Sequence, residues 1–126
     1  MRAYAKGPSQ ISVVLVEDHE PAREAMKHIL EEDLRINVVG EAAGSEDAIA
    51  EIEELQPNVV VLDIRLRQGS GFDVIRASGR VAKETKILVL SAYDDDQYVR
   101  SLVRLGIRGY LVKTVSDGEF KRDRQF

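Results

Sequence analysis

The stretch that most limits what this chain can fold into is residues 58–63, Asn-Val-Val-Val-Leu-Asp. Four apolar residues in a row, three of them β-branched, leave no polar side for water, so they suit a strand covered on both faces. Pro57 stops whatever precedes the run, and Gly69, Ser70 and Gly71 mark a loop soon after it. The run closes on the carboxylate of Asp63, where a buried strand opens into a loop. In an open parallel sheet, ligands and chemistry collect at that end.

Similar runs recur along the chain, separated by helical patterns. Residues 1–10 have no periodicity and contain Gly7, Pro8 and Ser9, which reads as a flexible leader. Ile11–Val16 is the first strand and ends at Glu17 and Asp18. A helix follows, with Pro21 in its first turn, where a missing N–H does no harm. Ala22, Ala25, Met26, Ile29 and Leu30 form its buried stripe at helical spacing. A shorter strand over 36–39 is closed by Gly40. Ser45 is positioned to cap the next helix, whose apolar stripe is Ala48, Ile49, Ile52 and Leu55. Beyond the central strand, 72–77 reads as a short third helix and 86–90 as a fourth strand followed by Ser91. Asp94, Asp95 and Asp96 open a fourth helix with Tyr98, Val99, Leu102 and Val103 inward, and Gly106 ends it. A fifth strand over 108–112 ends at Lys113. Alternating strands and helices of this kind specify a parallel, doubly wound α/β sheet.

Composition narrows the function classes. The 126 residues make one domain, with 44% apolar and 32% charged residues. No apolar run approaches the roughly 18 residues of a membrane span. The chain has no cysteine, which removes disulfides and thiolate metal sites, and its net charge of −4 argues against general affinity for nucleic acid.

Glu17, Asp18, Asp63, Ser91 and Lys113 each follow or end an apolar strand, and parallel strands bring such ends to one edge. Three carboxylates that close cannot all stay ionised without compensation. A hard divalent cation with oxygen ligands relieves them, and Mg²⁺ is the usual choice when a phosphate completes the shell. A dication and one lysine cancel three negative charges, so the pocket suits a phosphoryl group.

These residues resemble the receiver domains of two-component response regulators. The likeness runs from about Ile11 to Thr114 and rests on Glu17-Asp18, Asp63, Ser91, and Tyr110 three residues before Lys113. VVLVEDHEPAREAMKHIL and GIRGYLVKT are similar to the subfamily with a C-terminal helix-turn-helix DNA-binding domain, an output domain expected to be absent from this chain. The resemblance implies a flavodoxin-like fold, five parallel strands in the order 2-1-3-4-5. It implies a cytoplasmic, phosphorylation-activated switch, not an enzyme, that serves transcription in the full-length protein. Asp63 would accept a phosphoryl group from a sensor histidine kinase. Asp18, Asp63 and the backbone carbonyl of Arg65 would bind Mg²⁺, with Glu17 acting through metal-bound water. Lys113 would neutralise the phosphoryl oxygens, Ser91 would hydrogen-bond one of them, and Tyr110 would change rotamer in step with Ser91.

Plainer readings stand beside these. Asp63 alone could be a turn residue, and Glu17-Asp18 a helix-dipole feature. Lys113 alone would be a surface lysine, Ser91 could bond its own backbone, and Tyr110 could be half-buried core. His19 reads as loop and His28 as a solvated helix face. Arg100, Arg104 and Arg108 fit an ordinary exposed helix edge.

The sequence also departs from the family pattern. Arg67 stands where a proline is usual after the phosphoacceptor, and Thr114 replaces the proline after the lysine, so a trans bond is expected. Residues 115–126 offer only Val115, Phe120 and Phe126 as apolar residues, too few for a full covering fifth helix. A truncated or atypical helix is expected, leaving an apolar strip; self-association as a homodimer through that strip or the fourth helix is the hypothesis it raises.

Other function classes fit less well. A phosphatase of the haloacid dehalogenase type needs a second Asp where Arg65 stands, and arginine cannot deliver a proton. A nucleotide- or flavin-binding module would carry a glycine-rich phosphate loop, and none follows the first strand. A receiver-like docking module that no longer depends on phosphorylation is the strongest rival.

Overall fold

In the computed structural model, residues 10–64, 69–91, 96–113 and 120–125 are described, with backbone alone at 91, 96–99, 110–113 and 120–125. The elements are β1 (Ile11–Val16), α1 (Glu20–Leu30), β2 (Ile36–Ala42), α2 (Ser45–Leu55), β3 (Val59–Asp63), α3 (Gly71–Val81), β4 (Lys86–Ser91), α4 (Asp96–Arg104), β5 (Gly109–Lys113) and β6 (Phe120–Gln125). The sheet order is β2-β1-β3-β4-β5-β6, and the pairs from β2 through β5 are parallel.

The strands interlock because their residues alternate between two apolar faces. Val14, Val16, Val60, Leu62 and Val89 are fully buried on one face, packed with Ala48 and Ile52 of α2, Val74 and Ile75 of α3 and Leu102 of α4. Val13, Leu15, Val61 and Leu90 point to the other face and pack with Met26 of α1. Each such side chain contributes roughly 1.5–3 kcal/mol by leaving water.

Several elements differ from their sequence reading. Strand β2 does not end at Gly40: it runs to Ala42, with an irregularity where Val13 pairs Val38 but Val14 pairs Gly40. The glycine lets α2 lie close on the strand; a Cβ would displace the ends of two flexible side chains, the Glu51 carboxylate and, at 2.8 Å, Leu55 Cδ1. The α2 N-cap is Gly44, not Ser45, which makes no side-chain cap bond. The Ser45 side chain instead sits against Gly69, in the space a Cβ there would take. Helix α3 is a full 11 residues, because Ser70 caps it by accepting from the Phe72 N–H at 3.1 Å. On α1 the stripe is narrower than expected: Met26 is buried, but Ile29 is 51% exposed. On α4, Leu102 is fully buried while Val103 faces outward; Asp94 and Asp95 lie outside the described residues.

The largest correction concerns the end of the chain. Among the described residues the five expected parallel strands, in the order 2-1-3-4-5, are joined by a sixth, because Phe120–Gln125 pairs antiparallel with β5. Residues 120–125, expected to belong to a truncated or atypical fifth helix, form an edge strand. Its sequence, Phe-Lys-Arg-Asp-Arg-Gln, lacks the apolar residues at helical spacing that would hold a helix on the sheet. Arg67 and Thr114 lie outside the described residues.

Candidate functional site

The chain leaves β1 toward β2 on one side, then returns to lay β3 on the other. That reversal opens a crevice at the carboxyl ends of β1 and β3, the place where ligands bind in open α/β sheets. The register puts Val16 beside Leu62 as the last pair, so the next residues on the two strands are Glu17 and Asp63. Both continue the alternation of Leu15 and Val61, on the face covered by α1.

Glu17, Asp18 and Asp63 bring one carboxylate oxygen each to within 4.8 Å of one another. Glu17 is 2% exposed and Asp63 8%, while Asp18 is half-buried. Withdrawing carboxylates from water is costly unless positive charge or hydrogen bonds replace the lost solvation. The donor set is all oxygen and all anionic, which matches a hard dication and not a thiolate-seeking metal. Adjacent ligands of an octahedral Mg²⁺ lie about 3.0 Å apart and opposite ones about 4.2 Å, so three oxygens gathered this closely can reach one ion directly or through its bound water. The donors present therefore fit Mg²⁺.

The acidic turn is held from several directions. The Glu17 N–H donates to the Ala42 carbonyl of β2 at 3.0 Å. The His19 N–H donates to Glu17 Oε2 at 3.1 Å, which folds the carboxylate over its own turn. Arg23 of α1 donates through Nη1 to the Glu17 carbonyl at 2.7 Å and through Nε to Glu41 Oε1 of β2 at 3.2 Å. Lys27 Nζ reaches the other oxygen of Glu41 at 3.2 Å, and that bond to the Glu41 carboxylate holds its ammonium above the usual lysine range. Sequence reasoning did not single out Arg23 or Glu41. Arg23 looks like any polar helix position, and Glu41 follows the glycine taken as the end of its strand.

The remaining candidates are positioned by backbone register. Asp63 pairs with Leu90, one step before Ser91, and Ser91 pairs with Val112, one step before Lys113. Asp63, Ser91 and Lys113 thus fall in sequence along the carboxyl edge of β3, β4 and β5. Tyr110 pairs with Val89, deeper in the sheet. The side chains of Ser91, Tyr110 and Lys113, and all of Arg65, lie outside the described residues. His19 is the exposed N-cap of α1, and His28 is exposed on the same helix. Arg100, Arg104 and Arg108 are exposed, as an ordinary solvated edge would be.

Residues 13–123 match the family described as the response regulator receiver domain. The transcriptional regulatory protein DegU of Brevibacillus brevis is 32% identical over 105 residues, 83% of this chain and 44% of that protein. The DNA-binding transcriptional activator DevR/DosR of Mycobacterium tuberculosis is 33% identical over 112 residues, 89% of this chain and 52% of its own length. The chain thus spans about half the length of these relatives. Among solved structures, the signal receiver domain of the putative response regulator NarL from Mycobacterium tuberculosis superposes with a TM-score of 0.78 at 31% identity, covering 83% of this chain and 85% of that one.

Proposed function

We propose, because this chain belongs to the family of response regulator receiver domains, that it is a phosphorylation-activated switch with Asp63 as phosphoacceptor. The observation that carries the reading is the meeting of Glu17, Asp18 and Asp63 within 4.8 Å at the reversal of strand order. An Asp63 carboxylate oxygen attacks the phosphorus of a phosphohistidine on a sensor histidine kinase. The Oδ–P bond forms, the N–P bond breaks, and the imidazole leaves with the electron pair. Asp18, Asp63 and the Arg65 carbonyl would hold the metal directly, with Glu17 acting through metal-bound water. Mg²⁺, when bound, offsets charge on the phosphoryl oxygens and carboxylates. Lys113 neutralises the same oxygens from the β5 side.

The Ser91 hydroxyl hydrogen-bonds a phosphoryl oxygen, and Tyr110 changes rotamer with it, altering the surface of α4 and β5. A covalent change of about two negative charges thereby biases a two-state element. The five parallel strands β2-β1-β3-β4-β5 form the flavodoxin-like receiver sheet, with residues 1–10 as a leader and 115–126 as an atypical end. The partners are a histidine kinase, a second copy of the chain, and DNA only through an output domain, in a cytoplasmic regulator of transcription. No helix among the described residues is long and apolar enough to cross a membrane. The transfer is stoichiometric, which makes the chain a switch rather than an enzyme with turnover. A docking module independent of phosphorylation is the second reading, favoured by the edge strand at Phe120–Gln125 where a covering helix is usual.

Incubation with Mg²⁺ and acetyl phosphate, followed by intact mass, tests the first reading. One phosphoryl adduct is expected on the wild type and none on Asp63→Asn. An adduct that survives this substitution overturns Asp63 as the phosphoacceptor, and none on the wild type overturns the reading in favour of docking.

A further inference from the structure

Glu17 and Asp18 are the first residues past the last paired position of β1; the final ladder bond reaches the Glu17 N–H, and the sheet does not fix the Glu17 carbonyl or Asp18 beyond it. The Glu17 peptide is nonetheless held at both ends: its N–H by Ala42 of β2, its carbonyl by Arg23 of α1. The carbonyl bond, at 2.7 Å from a guanidinium, is charge-assisted and short. The same guanidinium is anchored to Glu41, the neighbour of Ala42 on β2. Its side chain is 16% exposed and that of Glu41 27%, so the pair is shielded more than a surface ion pair. Lys27 on the second Glu41 oxygen fixes the carboxylate from the far side.

We propose that Arg23 is the positioning residue of the acidic rim: by tying the Glu17 carbonyl to Glu41 of β2, it sets the geometry in which Glu17 and Asp18 receive a divalent cation. This rests on the reading of the rim as a Mg²⁺ site. The fork matters more than the charge. A guanidinium directs separate N–H groups at two acceptors on two elements, whereas a lysine ammonium on its flexible stem cannot hold both in one fixed plane. The two roles open to Arg23 predict opposite signs. If it were only a nearby positive charge, it would repel the cation, and its removal would tighten binding. As a positioning group, its loss weakens binding, because the acidic turn must then be ordered by the metal itself.

The test is calorimetric titration of Mg²⁺ into the full chain for wild type, Arg23→Met and Arg23→Lys, with hydrogen exchange of the His19 amide measured without metal. That amide reports the turn directly, since it donates to Glu17 Oε2. Arg23→Met is expected to weaken Mg²⁺ binding about tenfold and to speed His19 exchange. Arg23→Lys, which keeps the charge, is expected to fall between it and wild type. Unchanged or tighter binding in Arg23→Met, or wild-type affinity in Arg23→Lys, overturns the proposal. Should Arg23→Met not fold, Arg23→Lys decides alone. A wild type that binds Mg²⁺ and accepts phosphate while the Arg23 variants match it removes only this inference. A wild type that binds no Mg²⁺ removes the reading of the rim, and this inference with it.

Discussion

The same two strands, β1 and β3, end in opposite ways. At the amino end Ser12 and Asn58 satisfy each other. The Ser12 N–H and hydroxyl donate to Asn58 Oδ1 at 2.8 and 3.0 Å, and the Asn58 N–H donates to Ser12 Oγ at 2.9 Å. Nearby, Thr85 Oγ1 donates to the Pro57 carbonyl at 2.6 Å and the Lys86 N–H to the Asn58 carbonyl at 3.0 Å. Donors and acceptors there are neutral and matched. At the carboxyl end Glu17 and Asp63 stand abreast with Asp18 beside them, all acceptors and all of one charge. Such a group does not attract itself; the fold holds it together. One end of the strand pair secures register, and the other gathers carboxylates of the kind that bind a hard cation.

The largest effect that sharpens this contrast comes from the metal. Mg²⁺ at ten times its dissociation constant is expected to stabilise the wild type by about 1.4 kcal/mol over chelated protein, since only the folded chain assembles the acids. Denaturant unfolding measures it, and Asp18→Asn is expected to lose the increment. An equal increment in that variant would break the comparison.

Next is the opposite end. Asn58→Ala removes the acceptor of two Ser12 bonds and is expected to cost about 1 kcal/mol, these groups being open to solvent. The cost should be the same with and without Mg²⁺. A changed Mg²⁺ affinity would show the two ends to be coupled.

The smallest concerns an acid away from both ends. Glu51 of α2 lies over Gly40, and one of its oxygens is buried with no hydrogen-bond partner among the described residues. Burial, then the charge of Asp47, raises its pKa above the ordinary glutamate value. A carboxyl whose folded pKa is raised binds its proton more tightly in the folded state, so stability falls as pH rises through that pKa. Glu51→Gln is therefore expected to be the more stable protein at pH 7 and to lose the advantage near pH 4. The residue is partly exposed, so screening holds the gain to roughly 0.5 kcal/mol or less. Thermal unfolding across pH measures it.

Strand and helix identities were legible because the signals are local. The runs 59–62 and Ile11–Val16 could only be buried strands, and their ends named Glu17, Asp18 and Asp63 as candidates. Element ends were less legible. Gly40 reads as a terminator until α2 is seen resting on it, and Ser45 reads as a cap until Gly69 is seen against it. Ser70 does cap a helix, but within a glycine-rich stretch that reads as loop. Ile29 and Val103 have the periodicity of core residues and face outward, because periodicity says which side of a helix is apolar and not how far the neighbouring layer extends.

By itself, the sequence determined a parallel α/β sheet and delivered its acids to strand ends, because alternation and burial depend on residues a few positions apart. The family resemblance already implied that β1 lies beside β3, but only the tertiary structure decided the register that brings Glu17 level with Asp63. It alone joined Arg23 to Glu41 across 18 positions and set that pair beneath the Glu17 carbonyl. Contacts of that kind follow from which layers pack together, and no local pattern of side chains encodes which distant partner a charged group will meet.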